Sequence, residues 1–416
     1  MAVIAREDRS GLEPWGHAAL PAPPPTHGLK IFGVIGPGVI LLGSAIGSGE
    51  WLIGPAAFVQ YGLTLLWITA VAVFFQTVFN TELVRYTLYT GEPAVVGFMR
   101  TRPHARFWAA IYTLLYFLQF GWPAWAGAAA GAVFYLAHGQ LAGDAQAGTI
   151  YWIGVAIYLA CVAILLVGRR IERTLELLNW VLISAILLGL LVLCVVVAPA
   201  SQWLGAATGL AGYDWKNGGF SFLPAGADWF LLGAFAAYSG VGGVGNLTLS
   251  NWARDKGFGM GGVAGYIPAA FAGDKVPLAH TGSTFAPDAE SMARWRGWWR
   301  IVRADQWGVF FCGAMLGMVL PAILYTSVIA PGQDIRGLGV AAALADAMGG
   351  GTTLALAVAF MGAWLLFKAQ LDILEGQVRA VTDILWTGSR RVRRWSTGDV
   401  RRVYYSVLGL LVVWGF

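Results

Sequence analysis

Apolar stretches long enough to cross a lipid bilayer dominate this chain of 416 residues. A membrane-spanning helix needs about 20 mostly apolar residues, and nine stretches approach or exceed that length. Charged residues make up only 12% of the chain, well below the roughly 25% of a soluble protein. The sequence therefore predicts an all-α integral membrane protein in the lipid bilayer. The nine stretches cover residues 31–61, 63–88, 107–137, 150–167, 174–198, 227–253, 304–329, 352–386 and 403–416.

The basic residues indicate which side each loop faces. If the N-terminus lies in the cytoplasm, all 27 Lys and Arg residues except Lys216, Arg336 and Lys368 fall in or beside cytoplasmic segments. Lys and Arg concentrate in the cytoplasmic loops of membrane proteins. We therefore expect a cytoplasmic N-terminus, in the cell (plasma) membrane.

The chain divides into a short tail and one membrane domain. Residues 1–29 are polar, end in PAPPPTHG, and predict a disordered cytoplasmic tail. Residues 30–416 form the transmembrane domain, with one repeat over 31–198 and a second over 227–416. Because the last apolar stretch is short, we expect the chain to end within about the ninth helix and the second repeat to be incomplete.

Two of the spans carry glycine-rich, polar interruptions near their middle. SAIGSGE (44–50) ends on Glu50, and SGVGGVGN (239–246) ends on Asn246. The two spans are five apart, and this odd offset reverses their orientation, as an inverted repeat requires. Interrupted spans at matching places in two halves indicate the binding site of a transporter, because unwound backbone can offer carbonyls and amides to a cavity. The alternative is that these glycines only allow close helix packing.

Three segments resemble the Nramp family of proton-coupled divalent-metal transporters. IGPGVILLGSAIGSGEWLIGP is similar to the first helix of that family, which opens with GPG and breaks at a DPGN motif. GVGNLTLSNW is similar to its sixth helix, with MPHN followed by L-x-L, and FKAQLDILEGQVRAVTDIL to its eighth. The resemblance runs from about residue 31 to 416. It implies the LeuT-type fold, in which two inverted five-helix repeats have broken first and sixth helices.

The resemblance also implies a substrate site at the two breaks, but with altered residues. The implied substrate-binding positions are Gly47, Ser48, Gly49, Glu50, Gly243, Gly245 and Asn246. The family's Met and His fall on Gly243 and Gly245, so the thioether that favours soft metals is missing. A carboxylate, an amide, a hydroxyl and backbone carbonyls suit a hard cation such as Mg²⁺, Ca²⁺ or Mn²⁺, with Glu50 and Asn246 as metal ligands. Na⁺ or a small organic substrate would also suit this set.

Glu50 is the first candidate for a functional residue. A carboxylate at mid-membrane depth is costly unless it is paired or hydrated. We hypothesise that Glu50 coordinates a cation or carries the coupled proton. The alternative is that it caps the half-helix that starts at Trp51, where a carboxylate is favourable.

A second set of charges lies on the eighth span. Lys368, Asp372, Glu375 and Arg379 are spaced so that all four share one helix face. Their alternating signs predict a buried ion-pair stripe. The alternative is an ion pathway through Lys368, Asp372 and Glu375. Glu82 of the second span is a further pathway candidate, or it pairs with a neighbouring Arg.

The long loop 254–303 ends in the basic, aromatic run RWRGWWR (294–300). Such a run is typical of a segment that lies at an anionic membrane surface. The alternative is that the loop forms a gate.

These features together predict an Nramp-like secondary transporter that moves a divalent cation, with protons or Na⁺ as the coupling ion. The alternative is a LeuT-type carrier of a small organic solute, and a third reading is a non-transporting receptor or scaffold. The spans contain no catalytic Ser-Lys pair, no paired Asp and no His-Glu metal motif, so we do not expect the protein to be an enzyme. We expect no cofactor beyond the transported ion and no nucleic-acid partner, and the sequence leaves the oligomeric state open.

Overall fold

The computed structural model describes residues 10–26, 28–167, 171–270, 277–335, 339–349 and 352–416, without the side chains of Leu29 and Ser48. The described chain is helical apart from two pairs of very short strands. The helices are α1 (Pro37–Ser48), α2 (Gly54–Tyr61), α3 (Leu66–Thr90), α4 (Ala94–Met99), α5 (Ala105–Phe120), α6 (Ala124–His138), α7 (Ala147–Leu166), α8 (Ile171–Val197), α9 (Ala200–Gly209), α10 (Trp229–Tyr238), α11 (Gly245–Asp255), α12 (Gly261–Ala264), α13 (Ala289–Arg303), α14 (Cys312–Val328), α15 (Val340–Ala347), α16 (Thr353–Gly388), α17 (Arg390–Trp395) and α18 (Val400–Gly415).

Strands β1 (Gly16–His17) and β4 (Ser283–Thr284) pair in parallel, and β2 (Tyr213–Asp214) and β3 (Gly219–Phe220) form an antiparallel hairpin. Short non-α helical turns link several helices. Two of them are π-helical, Gly49–Ile53 and Ala304–Phe311, and three are 3₁₀ turns, Gly28–Gly33, Leu63–Leu65 and Asp144–Gln146.

Length and hydropathy confirm the all-α membrane architecture. Six stretches of the described residues are long and apolar enough to cross a membrane: Pro37–Tyr61, Leu63–Thr90, Asp144–Leu166, Ile171–Val197, Ala289–Val328 and Thr353–Gly388. The third and sixth predicted spans are present as pairs of shorter helices, α5 with α6 and α10 with α11.

Both predicted helix breaks are present. In the first span the backbone leaves helical geometry at Ile46 and Gly47, and a π-helical turn follows before α2 begins at Gly54. In the sixth span α10 ends at Tyr238 and α11 begins only at Gly245. The sequence-based prediction of broken first and sixth helices is therefore confirmed.

The long helix α16 lies at the centre of the helix packing. It packs against the helices of both halves, namely α1, α5, α6, α7, α11, α15 and α18. Most of its inner face is small or aliphatic, such as Ala359, Leu366 and Ala369, each fully buried. α16 meets the first span at its break, where a Cβ at Gly47 would overlap Ala369, and it meets the sixth span through α11.

The seventh span is longer than predicted. Its helix runs without interruption from Ala289 to Val328, whereas the sequence placed a loop up to residue 303. The Asp288 side chain starts this helix by accepting a hydrogen bond from the Ser291 amide at 2.7 Å. The run RWRGWWR is thus helical: Trp298 is buried, while Arg296 and Arg300 are exposed.

The prediction of a disordered tail is wrong for residues 10–26. The Gly16 and Ala18 amides bond to the Gly282 and Thr284 carbonyls, and Leu20 is fully buried. Because this Pro-rich segment is extended, its free carbonyls accept bonds from α13: Arg294 donates to Leu20 and Trp298 to Pro21. Residues 1–9 and 27 lie outside the described part of the chain.

Candidate functional site

The glycines of the first break allow three segments to meet. A Cβ at Gly47 would overlap the side chain of Ala369 on α16, and a Cβ at Gly49 would overlap the Tyr238 carbonyl at the end of α10. The first break therefore lies directly against the sixth span and against α16. Ser48 lies in the same turn, but its side chain is outside the described part.

The sixth-span break uses glycine for its backbone geometry. Gly240, Gly242 and Gly243 have φ angles of 96°, 72° and 55°, which residues with a side chain rarely adopt. This run of left-handed residues takes the segment Ser239–Val244 out of helical geometry. Its backbone amides and carbonyls consequently need partners outside the helix.

Two glutamines supply most of those partners. Gln76 of α3 accepts from the Val241 and Gly242 amides at 3.1 and 3.2 Å and donates to the Ser239 carbonyl at 2.5 Å. Gln119 of α5 accepts from the Val244 amide at 2.9 Å and donates to the Gly242 carbonyl at 3.1 Å. The second and third spans thus hold the unwound segment open by side-chain hydrogen bonds.

Glu50 links the two breaks. Its side chain is completely buried, and Oε1 accepts a hydrogen bond from the Gly240 amide at 3.2 Å. Oε2 is buried and has no hydrogen-bond partner among the described residues. The carboxylate is therefore fixed by the backbone of the opposite half and presents one free oxygen.

Two asparagines add amide groups in the same region of the molecule. Asn246, at the start of α11, donates to Gln76 at 3.4 Å, and its Oδ1 has no partner in the described chain. Asn80 lies one helical turn beyond Gln76 on α3. It is fully buried, and neither of its amide atoms has a described partner.

A lysine of α16 brings a positive charge to the first break. Lys368 is buried and forms an ion pair with Asp372 at 2.7 Å, and Asn179 of α8 donates to the other oxygen of Asp372 at 3.1 Å. A Cβ at Gly43 would overlap the Lys368 ammonium, so the missing side chain makes the space that the ammonium occupies. The ammonium therefore lies against the first span at Gly43, seven residues before Glu50.

The predicted ion-pair stripe on α16 is present. Lys368 pairs with Asp372, and one turn later Glu375 pairs with Arg379 at 2.5 Å. Glu375 also accepts from Trp252 of α11 at 2.7 Å. The stripe runs from the first break toward α11 and ends in a buried cluster that includes Asp255, Arg254 and Asp383.

The other predicted site residues lie apart from Glu50. A Cβ at Gly243 would meet Gln119, and one at Gly245 would meet Val241 and Phe120, so both glycines face the third span. Glu82 pairs with Arg85 on the surface of α3, where about half of each side chain is exposed. The structure thus brings together Gly47, Gly49, Glu50 and Lys368, with Asn246 held through Gln76.

Four amide side chains at the site had no role predicted from the sequence. An amide side chain within an apolar span is itself a sign of a polar contact inside the protein. The four are Gln76, Asn80, Gln119 and Asn179. Their hydrogen-bond partners could not be predicted, because the sequence does not show which backbone segment lies beside a given amide in the folded protein.

The possible metal ligands at the two breaks are mostly oxygen atoms, and few of them carry a charge. Within the described residues there is no cluster of three or more His, Cys, Asp or Glu side chains that could hold a metal ion. A cation at the breaks would depend on the Glu50 carboxylate, the Asn246 amide, backbone carbonyls and its own water. Such ligands suit hard cations that remain partly hydrated.

Comparison with solved structures identifies proteins of the same fold. A variant of the manganese transporter of Eremococcus coleocola superposes with a TM-score of 0.60 at 16% identity, covering 97% of this chain and 80% of that chain. The same transporter in complex with an aromatic bis-isothiourea compound gives a TM-score of 0.58 at 15% identity, covering 99% and 80%.

Sequence comparison adds no relative, since no protein-family model and no curated protein matches this chain. The likeness to the solved transporters is therefore a likeness of fold. The chain has the LeuT-type membrane fold predicted from the resemblance, with two broken helices that meet at Glu50.

Proposed function

We propose that this protein is an Nramp-like secondary transporter that moves a hard divalent cation, Mg²⁺ or Mn²⁺, across the membrane. One observation carries the proposal: the two broken helices meet at Glu50, whose buried Oε2 has no partner among the described residues. A buried carboxylate oxygen without a partner is costly, and a bound cation would remove that cost. The solved manganese transporters of the same fold support the substrate class.

The ligand chemistry supports a hard rather than a soft metal. Glu50 and Asn246 offer oxygen, and the positions where the family resemblance expects a thioether and an imidazole are Gly243 and Gly245. Mg²⁺ keeps several waters and is often bound through one or two carboxylates. A site with one free carboxylate oxygen and an amide oxygen fits that mode of binding.

The proposal includes a coupling ion and the orientation of the chain in the membrane. A proton or Na⁺ would accompany the metal, with Glu50 and the Lys368–Asp372 pair as the buried charges nearest the breaks. The concentration of Lys and Arg in alternate loops supports a cytoplasmic N-terminus in the plasma membrane.

Lys368 favours a second candidate, a carrier of a small organic solute. Its ammonium lies against Gly43 of the first span, so a cation bound at that break would meet electrostatic repulsion. An organic solute with an anionic group would instead be attracted to Lys368. The absence of a three-ligand cluster among the described residues points the same way.

Calorimetric titration of the purified full-length protein tests the proposal. We expect Mg²⁺ or Mn²⁺ to bind, Cd²⁺ to bind more weakly, and Glu50→Gln to reduce affinity at least about tenfold, equivalent to about 1.4 kcal/mol. Glu290→Gln is the control, because Glu290 is exposed and pairs with Arg294 on α13. Equal affinity in wild type and Glu50→Gln would exclude Glu50 as a ligand.

A further inference from the structure

The N-terminal segment 10–26 crosses the face of the molecule at which the first span begins and α16 ends. Part of it lies along α13, where Arg294 donates to the Leu20 carbonyl at 2.6 Å and Trp298 donates to the Pro21 carbonyl at 2.9 Å. Leu20 itself is fully buried. Because α13 continues without interruption into the seventh span, these contacts fix the segment to that span.

A second set of contacts fixes the segment beside the second span. Trp15 donates its indole N–H to Glu92 at 3.0 Å, and the Arg100 guanidinium lies 5.1 Å from the centroid of the Trp15 ring. Arg100 pairs with Glu92 at 2.5 Å and also donates to the Glu13 carbonyl at 2.9 Å. The Arg100 and Glu92 side chains are exposed by only 9% and 4%, so this attachment is largely shielded from water.

The contacts to α5 and to the end of α16 are weaker. The Ser10 carbonyl accepts one hydrogen bond, at 3.2 Å, from the amide of Ala105, the first residue of α5. The Glu13 carboxylate pairs with Arg390 at 3.4 Å and with Arg393 at 3.8 Å, both on α17 directly after α16. The Glu13 and Arg390 side chains are exposed by 40% and 74%. Exposed ion pairs contribute little stability, so this end of the segment detaches more easily than the others.

The start of the first span is fastened to the seventh span as well. Asp305, in the π-helical turn after α13, accepts hydrogen bonds from the Gly36 and Gly38 amides at 2.9 and 2.8 Å. A Cβ at Gly36 would overlap the Glu176 carboxyl group and the Lys256 ammonium, which form an ion pair at 2.5 Å. The first span is therefore tied to the seventh span and packed tightly at this face.

We propose that segment 10–26 is a strap that holds this face of the protein closed and that detaches from α17 at Glu13 when the face opens. The first span packs against α16, and a passage to this face opens when the two separate. The seventh span and the strap move with the first span, because Asp305 and the α13 contacts join them. The strap must then leave Arg390 and Arg393. This inference rests on the transport part of the proposed function, since a transporter opens to each side in turn.

Double electron–electron resonance on the full-length protein in lipid nanodiscs measures this opening. Spin labels are attached through Ala293→Cys on α13 and Arg394→Cys on α17, both at exposed positions. Cys312→Ser first removes the exposed native thiol. We expect the labelled protein with its native strap to give mainly one short distance. Glu13→Gln should raise the ratio of the longer to the shorter distance at least about threefold, as the loss of exposed ion pairs of this kind allows.

Two arginines of α17 provide a matched pair of variants. Arg390→Gln removes one partner of Glu13 and should raise the ratio in the same direction, but by less than Glu13→Gln. Arg391 is the neighbouring exposed arginine, and Arg391→Gln should leave the ratio unchanged. Glu13→Lys, whose charge repels Arg390 and Arg393, should raise the ratio most. Thermal unfolding in the same nanodiscs verifies that each variant is folded.

Three results would overturn the proposal. They are a native strap found mainly at the longer distance, the same distances with Glu13, Glu13→Gln and Glu13→Lys, or an equal rise in Arg390→Gln and Arg391→Gln. The second result would make the strap a fixed structural segment, and the third would reduce the effect to the net charge of α17. Because no metal is added, failure of the metal-transport proposal and failure of the strap are separate results.

Discussion

At the scale of single residues, Glu50 joins the two breaks and does not act only as a cap of its own half-helix. It accepts a hydrogen bond from Gly240 in the opposite half, so it fixes the two breaks relative to one another. Its second oxygen has no described partner, and this is the oxygen that the proposed function uses as a ligand. A carboxylate that only capped its own helix would not join the two halves in this way.

Gly49 tests whether the first break needs its glycines. A Cβ at this position would overlap the Tyr238 carbonyl, and backbone atoms cannot move aside as a flexible side chain can. We expect Gly49→Ala to destabilise the fold by about 1–3 kcal/mol, the usual cost of overpacking. The thermal unfolding midpoint in detergent, followed by tryptophan fluorescence, should fall accordingly.

Gly233→Ala is the matched control for that substitution. Gly233 lies in α10 of the sixth span, and a Cβ there would have nothing within 4 Å. Its unfolding midpoint should equal that of wild type or exceed it slightly, because alanine is the better helix former. Equal midpoints for Gly49→Ala and Gly233→Ala would contradict the close approach of the two breaks.

At the scale of elements, the sixth-span break depends on its neighbours for hydrogen bonds. Replacing Gln76 by Leu would leave the Val241 and Gly242 amides and the Ser239 carbonyl without the partner they now have. Each unsatisfied buried polar group costs about 1–3 kcal/mol. We therefore expect Gln76→Leu to lower the unfolding midpoint and any substrate affinity together.

The control for Gln76→Leu is Gln140→Leu, since Gln140 is exposed in the loop after α6. This variant should unfold at the wild-type midpoint. If Gln76→Leu unfolded at that midpoint too, the glutamine would not be what holds the unwound segment.

We expect the stability of the molecule to depend on pH through Glu13 of the N-terminal segment 10–26. Hydrogen bonding to His280, with Arg390 and Arg393 nearby, holds the pKa of Glu13 below its ordinary value. A carboxyl group whose pKa is lowered on folding stabilises the protein above its ordinary pKa of about 4.3. That contribution is lost as the pH falls through the lower pKa of the folded state.

Thermal unfolding of wild type and Glu13→Gln between pH 7 and pH 3 tests this contact. Wild type should have the higher midpoint at pH 7, and the difference should shrink toward pH 3. A difference that stays constant over this range would show that the carboxylate charge of Glu13 does not hold the segment.

Sequence and structure agree on the breaks and disagree on what surrounds them. Glycine clusters ending on Glu50 and Asn246 located both interruptions, because two such clusters, each with a polar residue, lie at matching places in two spans. The direction in which Gly243 and Gly245 face was not predictable, since left-handed residues destroy the helical periodicity on which such assignments depend. Residues 10–26 were missed because several of their contacts use backbone carbonyls, and side-chain pairs such as Glu13 with His280 join positions far apart in the sequence.

At the scale of the whole molecule, a line of buried charged residues connects the two halves. The breaks meet at Glu50, and the stripe on α16 continues from Lys368 to Arg379 and into the buried cluster on α11. Buried ion pairs contribute little net stability but are costly to break singly. The ion pairs of the stripe therefore favour a small number of discrete arrangements of the two halves, which the proposed transport function requires.

Uptake into proteoliposomes measures whether this protein moves a metal ion across a membrane. Purified full-length protein is reconstituted, and uptake of Mn²⁺, Mg²⁺, Ca²⁺ and Cd²⁺ is measured with and without an inward proton gradient. We expect wild type to take up Mn²⁺ or Mg²⁺ but not Cd²⁺, and Glu50→Gln to lose this uptake. Folded wild-type protein that takes up no metal, or a Glu50→Gln variant that transports as wild type does, would contradict it and favour an organic solute.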